Sequence, residues 1–182
     1  MEETDLLEPC KSNQEFVYAV FAQAMKQQYV THELPKFFPC KAINPVLIKR
    51  KWIGRECKEI TYSLMPGYIF LFSNERMNPG RLRKLDGILS VLKYDDGAYA
   101  LTEKDEKLAR WLLKYDGTIG LSKAIREGDH IQIVQGPLKD NIGSITRVDK
   151  HRKRAKIELQ FNEVVWPVWM DFEFVELEGA SV

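Results

Sequence analysis

The sequence predicts an α+β chain, a split βαβ sandwich followed by a small all-β barrel. Three observations carry that expectation. Strand-like and helix-like segments follow the order β-α-β-β-α-β across the first part of the chain. A turn-rich stretch of low apolar content, Lys114 to Lys123, then interrupts the pattern. Beyond it, short strands crowd into about 55 residues with Gly-Pro punctuation, and closure into a barrel is the economical way to remove so many exposed edges.

Each element has a local reason. The acidic residues 1–14 are expected to be a disordered tail. Phe16 to Ala22 is a short apolar run rich in aromatic and β-branched side chains, hence a buried strand. Helix formers dominate from Gln23 to Leu34, and Pro35 is expected to stop them. Phe37-Phe38-Pro39 reads as an apolar turn. Ala42 to Lys51 is strand-like, with Pro45 suggesting an edge or bulge. Trp52 to Ser63 completes a basic hairpin or loop around Gly54. Pro66-Gly67 is a turn, and Tyr68 to Phe72 the strand that follows. Asn78-Pro79 caps a short helix to about Asp86, which Gly87 ends. Ile88 to Lys93 is a strand and Asp95-Asp96-Gly97 a turn. Thr102 opens a last helix whose Leu108, Trp111 and Leu112 face inward.

That order is the ferredoxin-like split βαβ pattern, with helices over one sheet face and the other face open unless something docks there. The expected organisation is a tail at 1–14, a first domain at 15–114, a linker at 115–124 and a barrel at 125–178. The barrel strands are placed at 129–135, 142–149, 156–161, 164–169 and 174–176.

The chain has 182 residues, with 27 Lys plus Arg against 26 Asp plus Glu. That near-neutrality hides an asymmetry. Between Lys36 and Lys58 lie seven bases and one acid, and between Arg76 and Lys93 five bases and one acid. From Ala124 onward the balance reverses, with eight bases against ten acids. Local excesses of this kind attract phosphate backbones through counterion release. The sequence has no apolar run of about 18 residues and no apolar N-terminal core, so neither a membrane span nor a secretory leader is expected. Cys10, Cys40 and Cys57 are never spaced Cys-x-x-Cys, which points to a reduced, cytoplasmic protein without a zinc site.

Residue patterns for catalysis are missing. His32, His130 and His151 have no metal-ligand partner at useful spacing. Neither a nucleophile elbow, a phosphate-cradling loop nor a dinucleotide fingerprint occurs. The chain is expected not to be an enzyme and to need no metal or cofactor.

Two motifs then converge. Met65-Pro66-Gly67-Tyr68-Ile69-Phe70 resembles the third-strand signature of the NusG N-terminal (NGN) domain. Arg126 to Leu138, followed by Gly143-Ser144-Ile145, resembles a KOW motif, and Val168 to Glu176 its closing strand. The resemblance to the NusG family runs over about residues 16–177. It implies an NGN domain followed by an SH3-like KOW barrel, in a monomeric transcription elongation factor with no membrane attachment. It also implies docking of the first domain on the clamp helices of the largest RNA polymerase subunit. Phe21, Met65, Tyr68, Phe70 and Tyr94 would form the aromatic hollow for that helix tip. Because Tyr68, Phe70 and Phe72 alternate onto one face, the set is either docking patch or core.

Phe37-Phe38-Pro39-Cys40 and the basic segment 49–58 depart from the housekeeping pattern. They look more like the specialised LoaP and RfaH type of antiterminator. That likeness implies recognition of an RNA hairpin in the leader transcript. Lys36, Lys49, Arg50, Lys51, Arg55, Lys58, Arg83 and Lys84 are the bases for it, and Trp52 either stacks a base or packs. The His-Thr-Thr contact of the RfaH type is absent, and Asn78 and Arg81 stand in its place as candidate polymerase contacts. A ribosomal protein or termination factor is a possible partner of the barrel. The alternatives are a general elongation factor without sequence preference and a ribosome-associated KOW protein.

Overall fold

The computed structural model describes residues 16–176. The tail expected at 1–14, Cys10 and the last two residues of the expected barrel span lie outside them. In chain order the elements are β1 (Phe16–Ala22), α1 (Gln27–Phe37), β2 (Cys40–Ile43), β3 (Val46–Ile53), β4 (Glu56–Ser63), β5 (Tyr68–Ser73), α2 (Pro79–Leu82), β6 (Ile88–Val91) and α3 (Glu103–Lys114). They continue with β7 (Thr118–Ile119), β8 (Ser122–Glu127), β9 (His130–Gln135), β10 (Ser144–Asp149), β11 (Arg154–Phe161) and β12 (Val164–Phe174).

The first sheet has the order β2-β5-β1-β6, which is the split βαβ arrangement the sequence predicts. Period-2 alternation sorts its two faces. Tyr18, Val20, Ile69 and Leu71 share a core with Val30 and Leu34 of α1 and Leu82 of α2. Val17, Ala19, Phe70 and Phe72 belong to a second core with Leu108, Trp111 and Leu112 of α3. That second core also holds Leu159, Phe161 and Met170 of the barrel, so one apolar body runs through both domains.

Several local expectations are corrected. Pro35 sits inside α1, which continues to Phe37. It forfeits a single backbone bond in the last turn, and the Phe38 N–H to Leu34 carbonyl bond (3.0 Å) still closes the helix. The strand expected at 42–51 is two strands in different sheets, divided at Asn44-Pro45. β3 and β4 pair from Val46↔Ser63 to Ile53↔Glu56 around the two-residue turn Gly54-Arg55, and Gly54 has φ +64°. The segment expected as a linker is paired over much of its length. β7 joins β3 in parallel, and β8 is already the first strand of the barrel. The barrel sheet has the order β10-β11-β12-β8-β9, and the two final expected strands are one long β12 that pairs with both β11 and β8. Gly143 is necessary there, since a Cβ would lie 2.5 Å from the Glu158 carbonyl oxygen.

Two polar arrangements position the site. The buried Gln27 amide clamps the Pro66-Gly67 turn. Its Nε2 donates to the carbonyls of Tyr68 (2.7 Å) and Met65 (3.3 Å), and its Oε1 accepts from the Gly67 N–H (3.0 Å). At the domain boundary, Asp140 accepts from Lys114 Nζ (2.7 Å) and Tyr115 Oη (2.6 Å), tying the end of α3 to the barrel. Asp105 accepts from the Asn162 N–H (2.9 Å) at the other end of α3. Partial burial opposes ionisation of Asp140, but the hydrogen bonds from Lys114 and Tyr115 outweigh it and hold the carboxyl below the usual carboxylate range.

Replacing Gln27→Ala is expected to destabilise the fold by about 2 kcal/mol, because buried backbone groups at the turn lose their partner; chemical denaturation measures it. The depressed pKa of Asp140 makes its contribution complete above the ordinary value of 3.8 and lost as pH falls through the lower folded value. Asp140→Asn is therefore expected to flatten the acid limb of stability below about pH 4 and to lower neutral-pH stability by a constant amount, without changing its pH dependence there. Acid titrations of both proteins followed by tryptophan fluorescence give the comparison.

Candidate functional site

The site begins at β5. Its strand direction places Tyr68 and Phe70 on the same face, and both rings meet the barrel edge-on. Tyr68 packs against Phe161 (5.2 Å between centroids) and Trp166 (5.9 Å), and Phe70 packs against Phe161 (5.1 Å). Phe21 stands edge-on to Tyr68 at 5.2 Å and remains 37% exposed. Met65 is fully buried, as is Phe70. Tyr94 is half-buried; burial pushes its phenol up, reinforced by the hydrogen bond it donates to Asp105 (2.5 Å). The face expected to stand open is thus covered by α3 and by the chain's own barrel. Alternation along β5 identifies a face, but long-range packing decides what lies on it.

Phe161 and Trp166, which complete this aromatic cluster, are not singled out by the sequence. They flank the β11–β12 turn, where alternation reads only as barrel strand. Trp166 Nε1 is buried with no hydrogen-bond partner in the protein among the described residues.

Asn78 and Arg81 are not gathered with the aromatic set. Asn78 caps α2, its Oδ1 accepting from the N–H groups of Gly80 (2.9 Å) and Arg81 (3.2 Å). Arg81 lies over the Phe38 ring at 5.7 Å. Asn78 caps α2 and Arg81 lies within it, and Leu82 of that helix joins the core on the other side of the sheet.

The bases expected to meet RNA divide into separate groups. Lys49, Arg50 and Lys51 follow one another on β3, Arg55 is in the hairpin turn and Lys58 is on β4 opposite Lys51. Arg83 and Lys84 lie just beyond α2, where the Arg83 guanidinium sits over Tyr99 (5.9 Å). Lys36 pairs with Glu33 in α1 at 2.6 Å. The hairpin is the group with a common surface. Its Trp52 is 70% exposed, which removes the packing alternative for that side chain. Arg50 reaches across to the barrel, with its guanidinium 2.9 Å from Glu173 and its N–H donated to Asp171 (2.9 Å).

Burial pushes the Cys40 thiol up to about 11, so it stays protonated and inert, whereas Cys57 on the hairpin is exposed. Among the described residues no three His, Cys, Asp or Glu side chains are grouped to hold a metal, and no helix is long and apolar enough to cross a membrane.

Comparison with known proteins follows the same division of the chain. Residues 127–158 match the KOW motif. The chain is 25% identical over 137 residues to the transcription termination/antitermination protein NusG of Thermus thermophilus, covering 67% of this chain and 71% of that protein. It is 34% identical over 53 residues to the transcription elongation factor Spt5 of Methanocaldococcus jannaschii, covering 29% of this chain and 36% of that protein. In three dimensions it is similar to a structure described as domain interaction in Thermotoga maritima NusG. The TM-score is 0.51 at 18% identity, over 86% of this chain and 93% of that one, a likeness of fold. Motif and relatives agree in making the chain similar to transcription factors of the NusG and Spt5 type, and the solved structure shares its NGN-plus-KOW fold.

Proposed function

We propose that this protein rides RNA polymerase as a processive antiterminator, docking through the aromatic face of β5, with its own KOW barrel as a removable cover. The observation that carries this reading is the way that face is built. Phe21, Tyr68 and Phe70 form a concentrated aromatic patch of the sort that dominates protein interfaces, with polar contacts at its margin. The barrel occupies it with edge-on ring contacts worth about 0.5–1.5 kcal/mol each beyond area burial. A seat made of a few ring contacts is suited to release.

The polymerase partner under this reading is the clamp-helix tip of the largest subunit, an apolar helical end that replaces Phe161 and Trp166 against Tyr68 and Phe70. Met65 and Tyr94 then support the patch from below, and Asn78 and Arg81 serve a separate polymerase contact across the sheet. Seating of the barrel lowers the apparent affinity for polymerase by the fraction of molecules that are closed. Once released, the barrel is available to a ribosomal protein or a termination factor. The hairpin bases Lys49, Arg50, Lys51, Arg55 and Lys58 supply phosphate contacts to a leader RNA hairpin, with Lys36, Arg83 and Lys84 as outlying contacts.

Two substitutions on the same contact are expected to act in opposite directions. Tyr68→Ala weakens polymerase binding by roughly 30-fold, the scale of an interface hot spot. Trp166→Ala loosens the cover and strengthens polymerase binding, by up to about tenfold. Pull-down titration with purified polymerase measures both, and unchanged binding for Tyr68→Ala sinks the docking face. On a terminator template, read-through is expected to rise only when the leader hairpin is present; equal read-through without it favours the general elongation factor.

A further inference from the structure

We propose that the cleft between the β3–β4 hairpin and the β10–β11 turn is a single grip for single-stranded RNA, with one wall from each domain. It rests on the RNA-binding reading of the hairpin and adds to it a wall that the barrel supplies while it is seated.

The cleft has a volume of about 560 Å³, and its walls include Lys49, Lys51, Trp52 and Tyr62 of the hairpin and Arg152 and Lys153 of the turn. The barrel as a whole is slightly acidic, yet its bases are concentrated in Lys150-His151-Arg152-Lys153-Arg154. The turn is held by the Asp149 carboxylate, which accepts the Arg152 N–H (3.0 Å), and by Lys153 at φ +51°.

Some of the surrounding cations are already committed. Arg50 pairs with Glu173 (2.9 Å). Arg154 pairs with Asp149 (3.5 Å) and stacks over Trp169 (4.5 Å). Lys150 donates to the Asp129 carbonyl (2.6 Å). Among the described residues, Lys49, Lys51, Arg152 and Lys153 have no carboxylate within ion-pair distance. Lys51 faces Lys58 directly across the hairpin, and only Lys58 of that pair has a carboxylate, Glu56 at 3.2 Å. Asp171 also lines the cleft and Asp149 lies near Arg152, but cations outnumber acids there, and a polyanion relieves their repulsion while releasing its own counterions.

Aromatic side chains select among polyanions. Trp52, 70% exposed, lines the cleft from the Arg50 face of β3, and Tyr62, 42% exposed, lines it from the Lys49 face with the Lys49 ammonium over its ring at 5.5 Å. Unpaired bases stack on such rings whatever their identity, whereas a paired stem keeps its bases out of reach. Phosphates on Lys49, Lys51, Arg152 and Lys153 with a base on Trp52 is the arrangement these positions favour. Because the two walls belong to different domains, the full grip needs the seated barrel, and its release for polymerase docking leaves the hairpin wall alone to hold RNA.

Fluorescence anisotropy on the full chain tests this, using a labelled unstructured RNA of about ten nucleotides. The variants are Lys49→Glu with Lys51→Glu, and Arg152→Glu with Lys153→Glu. Lys104→Glu with Lys107→Glu, on the exposed side of α3, is the control. Each cleft variant is expected to lose affinity on the order of tenfold and to flatten the logarithmic salt slope by about 1.4, as for two phosphates each. The control is expected to bind like the parent. If the hairpin variant weakens and the turn variant does not, the shared grip is wrong while the hairpin reading stands. If neither weakens, both fail. An equal loss in the control reduces the effect to overall charge and overturns the grip. Tighter binding of DNA of the same sequence, or equal competition by polyglutamate, overturns the assignment to RNA.

Discussion

The contact of Tyr68 and Phe70 with Phe161 and Trp166 is the interaction on which the rest of the structure depends. It merges two small cores into one. Each domain by itself has little interior to spare, because surface outweighs volume at this size. α3 sits at the junction, with Leu108 and Leu112 in the shared core and Asp105 and Asp140 marking the polar ends of the boundary. The same rings that stabilise the closed chain are the ones the proposed docking would use, so under that proposal stability of the closed form and availability of the face oppose each other.

Electrostatics works at the edge of that contact. A net charge of +1 says little about a molecule that concentrates five bases on one hairpin and four in one turn. The Arg50 bridge to Glu173 and Asp171 brings those two elements together, and the bases next to Arg50 and next to Arg154 are left facing a common space. Domain packing therefore controls two surfaces at once, covering an aromatic face and assembling a basic one. A change that moves the barrel alters both, so the two proposed binding events would be linked through it.

Much of this was legible in the residues. The alternation of β5, the Pro66-Gly67 corner and the Asn78 cap are local devices, and each appears where local chemistry puts it. Pro35 misled because one missing N–H in a final turn is a small loss that helix packing outweighs. The linker misled because Thr118-Ile119 and Ser122 onward carry too few apolar residues to announce strands. They become strands only because β3, β9 and β12 offer them free edges. Gln27 looked like an ordinary helix former, and nothing in its neighbours announces that its amide will close a turn about 40 residues away.

By itself the sequence determined the two-domain order, the sheet that bears the aromatic residues, the barrel motif and the basic hairpin, since periodicity, turn chemistry and charge are written in neighbouring residues. Only the tertiary structure decided that the aromatic face is covered, that Phe161 and Trp166 cover it, and that the turn at 150–154 stands across from the hairpin. Those pairings join positions about 90 to 100 residues apart, and no local propensity encodes which apolar face will meet which; the burial of the whole surface selects the match.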